Sequence, residues 1–398
     1  MKNKKYLIVT VLLPLVLWAG DFSEYRKRQE DEFNEYRERQ SEGRREYEKE
    51  RRKQIVSSRQ KYRKWKRQQE LKYQAFRDEI CRKWGKYTAP GTKCWVEYSN
   101  DRESFSEVNF DKGTVTVQVL KKRGESEGET KRKLTGAVKR VLSSRGSSGF
   151  LPVEAQKPEL RVLKKPLLQD QVVLQGGKRA TADDAQEIVD GKGGEVSKKT
   201  EPVKEDGDQK VSLTFPLAPD HIQSRMKPYL PLVRKYSKHY DLEPELVLAI
   251  IHTESSFNPM ARSGANALGL MQLVADKGGA DAFSVVFGRS ELPSEKELLN
   301  PKLNIRLGCA YLNRLNTVYF RGVNGRDRKR YCSIAGYNTG PGNVAYAFTG
   351  SNVVKNSFEV INRKESGEVY RHLLRRLPYR ETRGYLKVVV ERIKLYRG

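Results

Sequence analysis

Residues 244–259 read PELVLAIIHTESSFNP. Proline at the first position, followed by an apolar run with Leu246, Ile250 and Glu254 four apart, predicts a helix from Pro244 to Glu254. Val247 and Ile251 flank that stripe. The Glu254 carboxyl therefore emerges at the end of an apolar face, just before the chain breaks at Asn258-Pro259. Apolar surroundings disfavour the charged form of a carboxyl, so its pKa should rise. An acid that stays protonated near neutral pH can donate to a leaving glycosidic oxygen. Taken alone, the same residue also reads as an exposed glutamate at a helix end with no chemical role.

Downstream and just upstream of this helix the pattern stays helical. The spacing of apolar residues predicts further helices over 221–240, 270–287, 301–319, 330–348, 367–377 and 383–396, with proline, asparagine and glycine between most of them. Residues 216–398 are thus expected to form an all-α domain. Further upstream, residues 93–215 change character. Val96, Tyr98, Phe110, Val115, Val117 and Val119 alternate, and Asp111-Lys112-Gly113 supplies a turn, which predicts a hairpin. The glycine- and charge-rich stretch from Lys121 to about Gly207 reads mostly as loop or linker, with short fragments such as 134–142 and 211–215 in or after it. The whole segment is expected to be small and mixed α/β.

Residues 21–92 form a charged, proline-free arm through Tyr87 with an aromatic pair every 11 residues: Phe22/Tyr25, Phe33/Tyr36, then after a slip Tyr62/Trp65, Tyr73/Phe76 and Trp84/Tyr87. An 11-residue period is about 3.67 residues per turn, so the aromatics line one stripe of a long helix. That stripe either packs on a neighbouring part of the chain, or holds a protein partner or spaces the chain from a membrane. Residues 1–20 carry Lys2, Lys4 and Lys5, an apolar run from Tyr6 to Trp18, then Ala19-Gly20, the pattern of a signal peptide. The run is short for a span of about 20 residues, and an uncleaved anchor is the alternative. Either way the chain is expected to be exported. The first cysteine is Cys81, so no lipid-attachment cysteine stands at the cleavage site.

Among 398 residues the formal net charge is +27. Such a surplus points to an anionic partner, whether nucleic acid, an acidic membrane surface or an acidic polymer such as cell wall. No zinc-finger spacing, P-loop or RNA-binding aromatic signature is present, which argues against nucleic acid. With four histidines and no Cys/His cluster, neither a metal nor a cofactor is expected. Cys81 with Cys94, and Cys309 with Cys332, are the pairs whose positions suit a bridge; each also reads as buried thiol.

Four fragments carry a family resemblance: Glu254-Ser255-Ser256-Phe257-Asn258-Pro259; Ala267-Leu268-Gly269-Leu270-Met271-Gln272; Ala335-Gly336-Tyr337-Asn338 with Gly340-Pro341-Gly342; and Glu381-Thr382-Arg383-Gly384-Tyr385. In this order they resemble the soluble-lytic-transglycosylase domain of the goose-type lysozyme relatives. The arm and the segments 95–98 and 108–113 extend the likeness, more weakly, to the membrane-bound C-type lytic murein transglycosylases. Leu273-Val274-Ala275 departs from the Ile-Met-Pro common in that family.

The resemblance implies a mainly α chain with a lysozyme-like catalytic domain. It implies peptidoglycan glycan strands as substrate, no cofactor, and a periplasmic location associated with the outer membrane. Glu254 would be the only catalytic carboxylate, acting as acid and then base to leave a 1,6-anhydroMurNAc end. Ser263, Met271, Gln272, Tyr337, Asn338 and Tyr385 would form the substrate site, with Tyr337 or Tyr385 holding a hydroxyl near Glu254. Gly264 and Gly269 would let backbone approach the ligand. Glycosidases that deliver water need a second carboxylate. Asp276 and Asp281 are the nearest downstream, and they keep a hydrolytic muramidase open. A non-catalytic envelope scaffold built on the arm is the third reading.

Overall fold

The computed structural model describes residues 70–146, 163–203, 208–289 and 291–397, together with isolated positions between 31 and 68. The first four aromatic positions of the arm's repeat, and the 62/65 pair, lie outside these residues. So does the segment read as a signal peptide. No helix among the described residues is long and apolar enough to cross a membrane.

Residues 70–84 form a helix, α1. It is followed by strands β1 (Cys94–Tyr98), β2 (Ser104–Asn109) and β3 (Thr114–Lys121), helix α2 (Glu127–Ser143), and strands β4 (Ser197–Pro202) and β5 (Gln209–Pro216). The five strands make one antiparallel sheet in the order β1-β2-β3-β5-β4. Register explains the alternation seen in the sequence. Trp95 opposes Val108, Val108 opposes Val115 and Val115 opposes Phe215, one buried row across four strands. α2 packs on this sheet through Leu134, Val138 and Val141. Much of the stretch read as linker is thus folded. A capping box, Ser126 with Glu129, starts α2 and was visible in the sequence.

α1 presents Phe76, Ile80 and Trp84, at i, i+4 and i+8, to the residues of the sheet that α2 does not cover. They meet Val96, Tyr98 and Phe105, and Tyr87 stacks on Tyr98 at 5.9 Å. Each well-placed aromatic pair adds roughly 0.5–1.5 kcal/mol beyond burial. The last pairs of the repeat therefore pack within this chain.

The C-terminal domain holds α3 (Leu230–His239), α4 (Pro244–Ser255), a two-strand ladder β6 (Ala267–Leu268) and β7 (Leu273–Val274), α5 (Gly278–Phe287), α6 (Pro301–Arg314), α7 (Arg326–Thr339), α8 (Pro341–Thr349), α9 (Ser366–Arg376) and α10 (Arg380–Leu395). α4 is central, buried from Leu246 to His252 and packed on α3 and α10. Three predicted helices differ. The helix over 221–240 breaks into a short helix, a tight turn over Lys227–Tyr229 and α3, because Pro228 and Pro231 lack donors. The one over 270–287 starts at Gly278, since Gly269 and Gln272 adopt positive φ (76° and 46°) and build the ladder instead. The one over 330–348 is cut at Gly340, where φ is 88°. The ladder, two residues per strand, is a minor element in a domain that is otherwise helical, as expected. All four cysteines are free thiols, so neither expected bridge is formed.

Candidate active site

α4 is pinned at both ends. At its start Glu243 accepts from Arg330 at 2.9 Å and Arg397 at 2.8 Å, with Arg326 2.9 Å away. At its end Ser255 Oγ donates to the carbonyls of Ile251 (3.0 Å) and Leu270 (2.8 Å), tying the helix to the ladder. The chain then turns through two left-handed residues, Ser256 (φ 49°) and Phe257 (φ 61°). Conformations of this kind cost about 1–3 kcal/mol each where the residue is not glycine, and persist only when the surroundings fix them. Here the Phe257 ring is fully buried against His252 and Tyr396.

Glu254 sits just before that corner. Its side chain keeps partial solvent access, yet protein crowds it closely. Loss of hydration is the largest influence and pushes its pKa up to about 8. The negative charge of Glu381 pushes in the same direction, while Tyr385 and Lys93 favour the ionised form. The rise expected from the apolar stripe is present. Such a setting favours the protonated form of the carboxyl.

Two buried tyrosines flank it. Tyr337, on α7, donates its hydroxyl to the Met271 carbonyl at 2.8 Å. Tyr385, on α10, turns its hydroxyl to Glu254 and favours the ionised carboxyl, without full hydrogen-bond geometry to any described residue. Burial pushes both phenols well above the usual tyrosine range, and Glu254 adds to the effect. Asn338 accepts from the Thr382 hydroxyl at 2.7 Å, which links α7 to α10 beside Tyr385.

The ladder brings Ser263 and Gln272 to its own turn. Ser263 Oγ accepts from the Ala267 amide at 3.0 Å. Gln272 Nε2 donates to the carbonyls of Ala261 (3.1 Å) and Gly269 (2.9 Å), and its Oε1 has no partner. With the amide held on one side, the unpaired oxygen is free to accept from a hydroxyl or an N–H.

Two of these residues are set by packing. Met271, also readable as cleft wall or core, is fully buried against Gly308, which places its side chain in the core. At Gly269 a Cβ would stand 2.4 Å from the Leu298 carbonyl and 2.6 Å from Asn304 Nδ2, so the protein's own backbone takes the space expected for ligand. At Gly264 nothing lies within 4 Å of the added carbon, and the residue is exposed.

Neither aspartate considered as a second carboxylate meets Glu254. Asp281 accepts from the Tyr319 hydroxyl at 2.8 Å, and Asp276 is exposed on the surface. The carboxylate that acts on Glu254 is Glu381, one helical turn before Tyr385 on α10 and exposed. The i, i+4 spacing of Glu381 and Tyr385 was the signal that could have found it. Lys93 had no such signal. It reaches the end of α4 from the other domain, paired with Asp111 at 3.2 Å. Asp111 in turn lies 3.4 Å from Ser256 Oγ, and the Thr92 carbonyl lies 3.4 Å from Asn258 Nδ2.

Comparison with known proteins adds to this geometry. Residues 231–357 match the family model described as Transglycosylase SLT domain. Residues 62–227 match that of Membrane-bound lytic murein transglycosylase C, N-terminal domain. The membrane-bound lytic murein transglycosylase C of Klebsiella pneumoniae is 34% identical over 309 residues, covering 77% of this chain and 82% of its own. That of Yersinia enterocolitica is 33% identical over 313 residues, covering 77% and 83%. Among solved structures, the 70 kDa soluble lytic transglycosylase of Escherichia coli is 28% identical over 45% of this chain and 25% of its own, with a TM-score of 0.34.

Proposed function

The chain belongs to the membrane-bound lytic murein transglycosylase C family and is a lytic transglycosylase acting on peptidoglycan, and from that premise we propose that Glu254 alone performs the acid and base steps. Protonated Glu254 gives its proton to the β-1,4 oxygen between MurNAc and GlcNAc. The C1–O bond breaks, and positive charge develops at C1 and the ring oxygen. The carboxylate left behind takes the proton of the MurNAc C6 hydroxyl as O6 bonds to C1. The products are a free GlcNAc 4-hydroxyl and a 1,6-anhydroMurNAc end. No water is consumed, and Glu254 returns to its protonated form. Because attacking oxygen and C1 belong to one sugar, the closure avoids the entropy cost of recruiting water.

The observation that carries this reading is the Glu254 carboxyl, crowded by protein at the end of an apolar helix face with its pKa at about 8, beside a Tyr385 hydroxyl that faces it. In the proposed complex Tyr385 steadies the carboxylate that forms after the first proton transfer. Gln272 Oε1 and Ser263 receive sugar or acetamido groups, and Tyr337 and Asn338 line the same wall. The net charge of +27 gives a carboxylate- or phosphate-bearing wall polymer a favourable surface to approach. The same reading has residues 1–20 direct export to the periplasm, in association with the outer membrane.

The test is mass spectrometry of fragments released from purified sacculi by the parent and by Glu254→Gln. The expected result is MurNAc ends one water lighter than the reducing sugar, and none from the variant. Release by the variant at a few per cent of the parent rate would sink the single-glutamate mechanism.

A second reading rests on Glu381. A second carboxylate near the acid, here Glu381 on α10, is what a water-delivering muramidase requires if it flanks the scissile bond. Reducing ends in the same spectra would select it. Family membership displaces the third expectation, a non-catalytic scaffold.

A further inference from the structure

The strained corner after Glu254 is held by a residue outside the helical domain's long helices. Arg225 is 4% exposed. Its Nε donates to the Ser256 carbonyl at 3.0 Å and its Nη2 to the Phe110 carbonyl at 3.1 Å. Its Nη1 donates to Gln171 Oε1 and to His221 Nδ1, each at 2.8 Å. The guanidinium also lies over the Phe110 ring, 4.6 Å from its centre. Phe110 is in the turn after β2, Gln171 lies between α2 and β4, and Ser256 is two residues past Glu254.

Arginine suits this place because its planar fork offers five donors in fixed directions and stays charged when buried. No carboxylate meets it in an ion pair among the described residues; its partners are carbonyls, an amide and a neutral imidazole. Burying a charge on such partners is a costly way to gain stability alone. It is a direct way to fix the distance between two bodies, since one rigid group bonds to both at once. From the corner itself the other bonds to the N-terminal segment, Ser256 with Asp111 and Asn258 with Thr92, are long at 3.4 Å and hold more weakly. The short bonds of Leu217 to Gly113 (2.7 Å) and Ala218 to Gln171 (2.8 Å) tie the domain's entry and not the corner.

We propose that Arg225 is a positioning residue of the lytic reaction: it locks the corner following Glu254 onto the N-terminal sheet, so that the sheet determines where the carboxyl stands. The inference rests on Glu254 being the acid. The corner passes the constraint on through the Ser256 amide, which bonds back to the His252 carbonyl at 3.1 Å in the last turn of α4. Loosening Arg225 would let the corner relax and tilt the end of that turn, with substrate contacts on the ladder left in place.

The experiment is steady-state turnover of soluble glycan strands by the full chain carrying Arg225→Ala, Arg225→Lys or Gln171→Leu, with melting temperatures measured in parallel. A shift of 1 Å at a reacting group can cost about 100-fold, so Arg225→Ala should lose roughly 10–100-fold in kcat with KM changed less than about 3-fold. Arg225→Lys should fall between the two, since it keeps the charge but not the fork. Gln171→Leu, which removes one of Arg225's bonds to the N-terminal part and leaves the one to Phe110, should lower kcat by about 2–5-fold, a small fraction of the same effect. Guanidinium ion below denaturing concentration should restore part of the turnover of Arg225→Ala. If Arg225→Ala does not fold, the other two variants carry the test. A lower melting temperature with kcat per folded molecule unchanged would overturn the proposal, leaving Arg225 structural. A raised KM at constant kcat would overturn it as well, by making Arg225 a substrate contact. Full turnover by Glu254→Gln, run alongside, would remove the assignment of the acid and this inference with it.

Discussion

The Tyr385 hydroxyl faces the Glu254 carboxyl without reaching full hydrogen-bond geometry, whereas the hydroxyl of Tyr337, on the other flank, is committed to the Met271 carbonyl at 2.8 Å. A buried hydroxyl left unpaired costs about 1–3 kcal/mol. The two tyrosines therefore respond in opposite ways to loss of the hydroxyl. Tyr385→Phe removes a group that costs stability when the site is empty, so the melting temperature should hold or rise. It should lower kcat by about 10–100-fold, the usual weight of one donor aimed at developing charge. Tyr337→Phe strands the Met271 carbonyl and should destabilise by about 1 kcal/mol, with the smaller effect on turnover. Thermal melts and kcat on both variants decide it; a larger loss of kcat in Tyr337→Phe would exchange the two roles.

The raised pKa of Glu254 fixes the direction of two pH dependences. Only the protonated acid starts the reaction, so kcat/KM should fall as pH rises through about 8. For stability, the folded pKa lies above the ordinary value of 4.5, so the folded state binds more protons than the unfolded state between about 4.5 and 8. Stability is lost as pH rises through that window. A shift of this size has a ceiling of about 5 kcal/mol, and the partial solvent access of the side chain keeps the effect below it. Glu254→Gln has no such term. Its melting temperature should match the parent near about pH 5 and exceed it near about pH 9. Parallel melting curves at both pH values would mean that Glu254 titrates like an exposed glutamate.

Much of the acid's setting was legible because it is local. Leu246, Ile250 and Glu254 share one face of one helix, and that alone implies loss of hydration at the carboxyl. Lys93 was illegible as a neighbour of Glu254, since only tertiary packing brings the segment before β1 near it, and Glu381 could be reached only through its spacing from Tyr385 once α10 packs on α4. Residues 270–277 misled for another reason. Their apolar spacing suits a helix, but positive φ at Gly269 and Gln272 turns the chain into the ladder that positions Gln272. The linker reading of 121–207 weighed glycine and lysine content above the Ser126–Glu129 capping box, which marks a helix start by itself.

Gly269 and Gly264 separate packing from ligand approach. Gly269 has φ 76°, and its substitution would drive a Cβ to 2.4 Å from the Leu298 carbonyl. Gly269→Ala should cost roughly 2–4 kcal/mol by overpacking and left-handed strain together, and should lower the melting temperature with or without glycan. Gly264 has open space around it and an ordinary φ. Gly264→Ala should leave the melting temperature within about 0.5 kcal/mol of the parent. Any effect it has should appear in KM, because the added methyl meets only what binds there. A large stability loss in Gly264→Ala would show that this turn is packed against protein.

Glu381 decides between the intramolecular and the hydrolytic course. Its charge disfavours ionisation of Glu254 and helps to hold the acid's pKa at about 8. Removing that charge in Glu381→Gln should move the basic limb of kcat/KM to lower pH. Below that limb, kcat should stay within about 3-fold of the parent and the product ends should remain 1,6-anhydro, because a charge acting at long range tunes the acid without touching the sugar. A hydrolase predicts otherwise. There an ionised Glu381 would activate water, and Glu381→Gln would lose about 100-fold or more in kcat. The turnover and the product mass must agree. A retained anhydro end together with a raised KM would make Glu381 an aid to substrate binding and leave Glu254 as the only group that moves a proton.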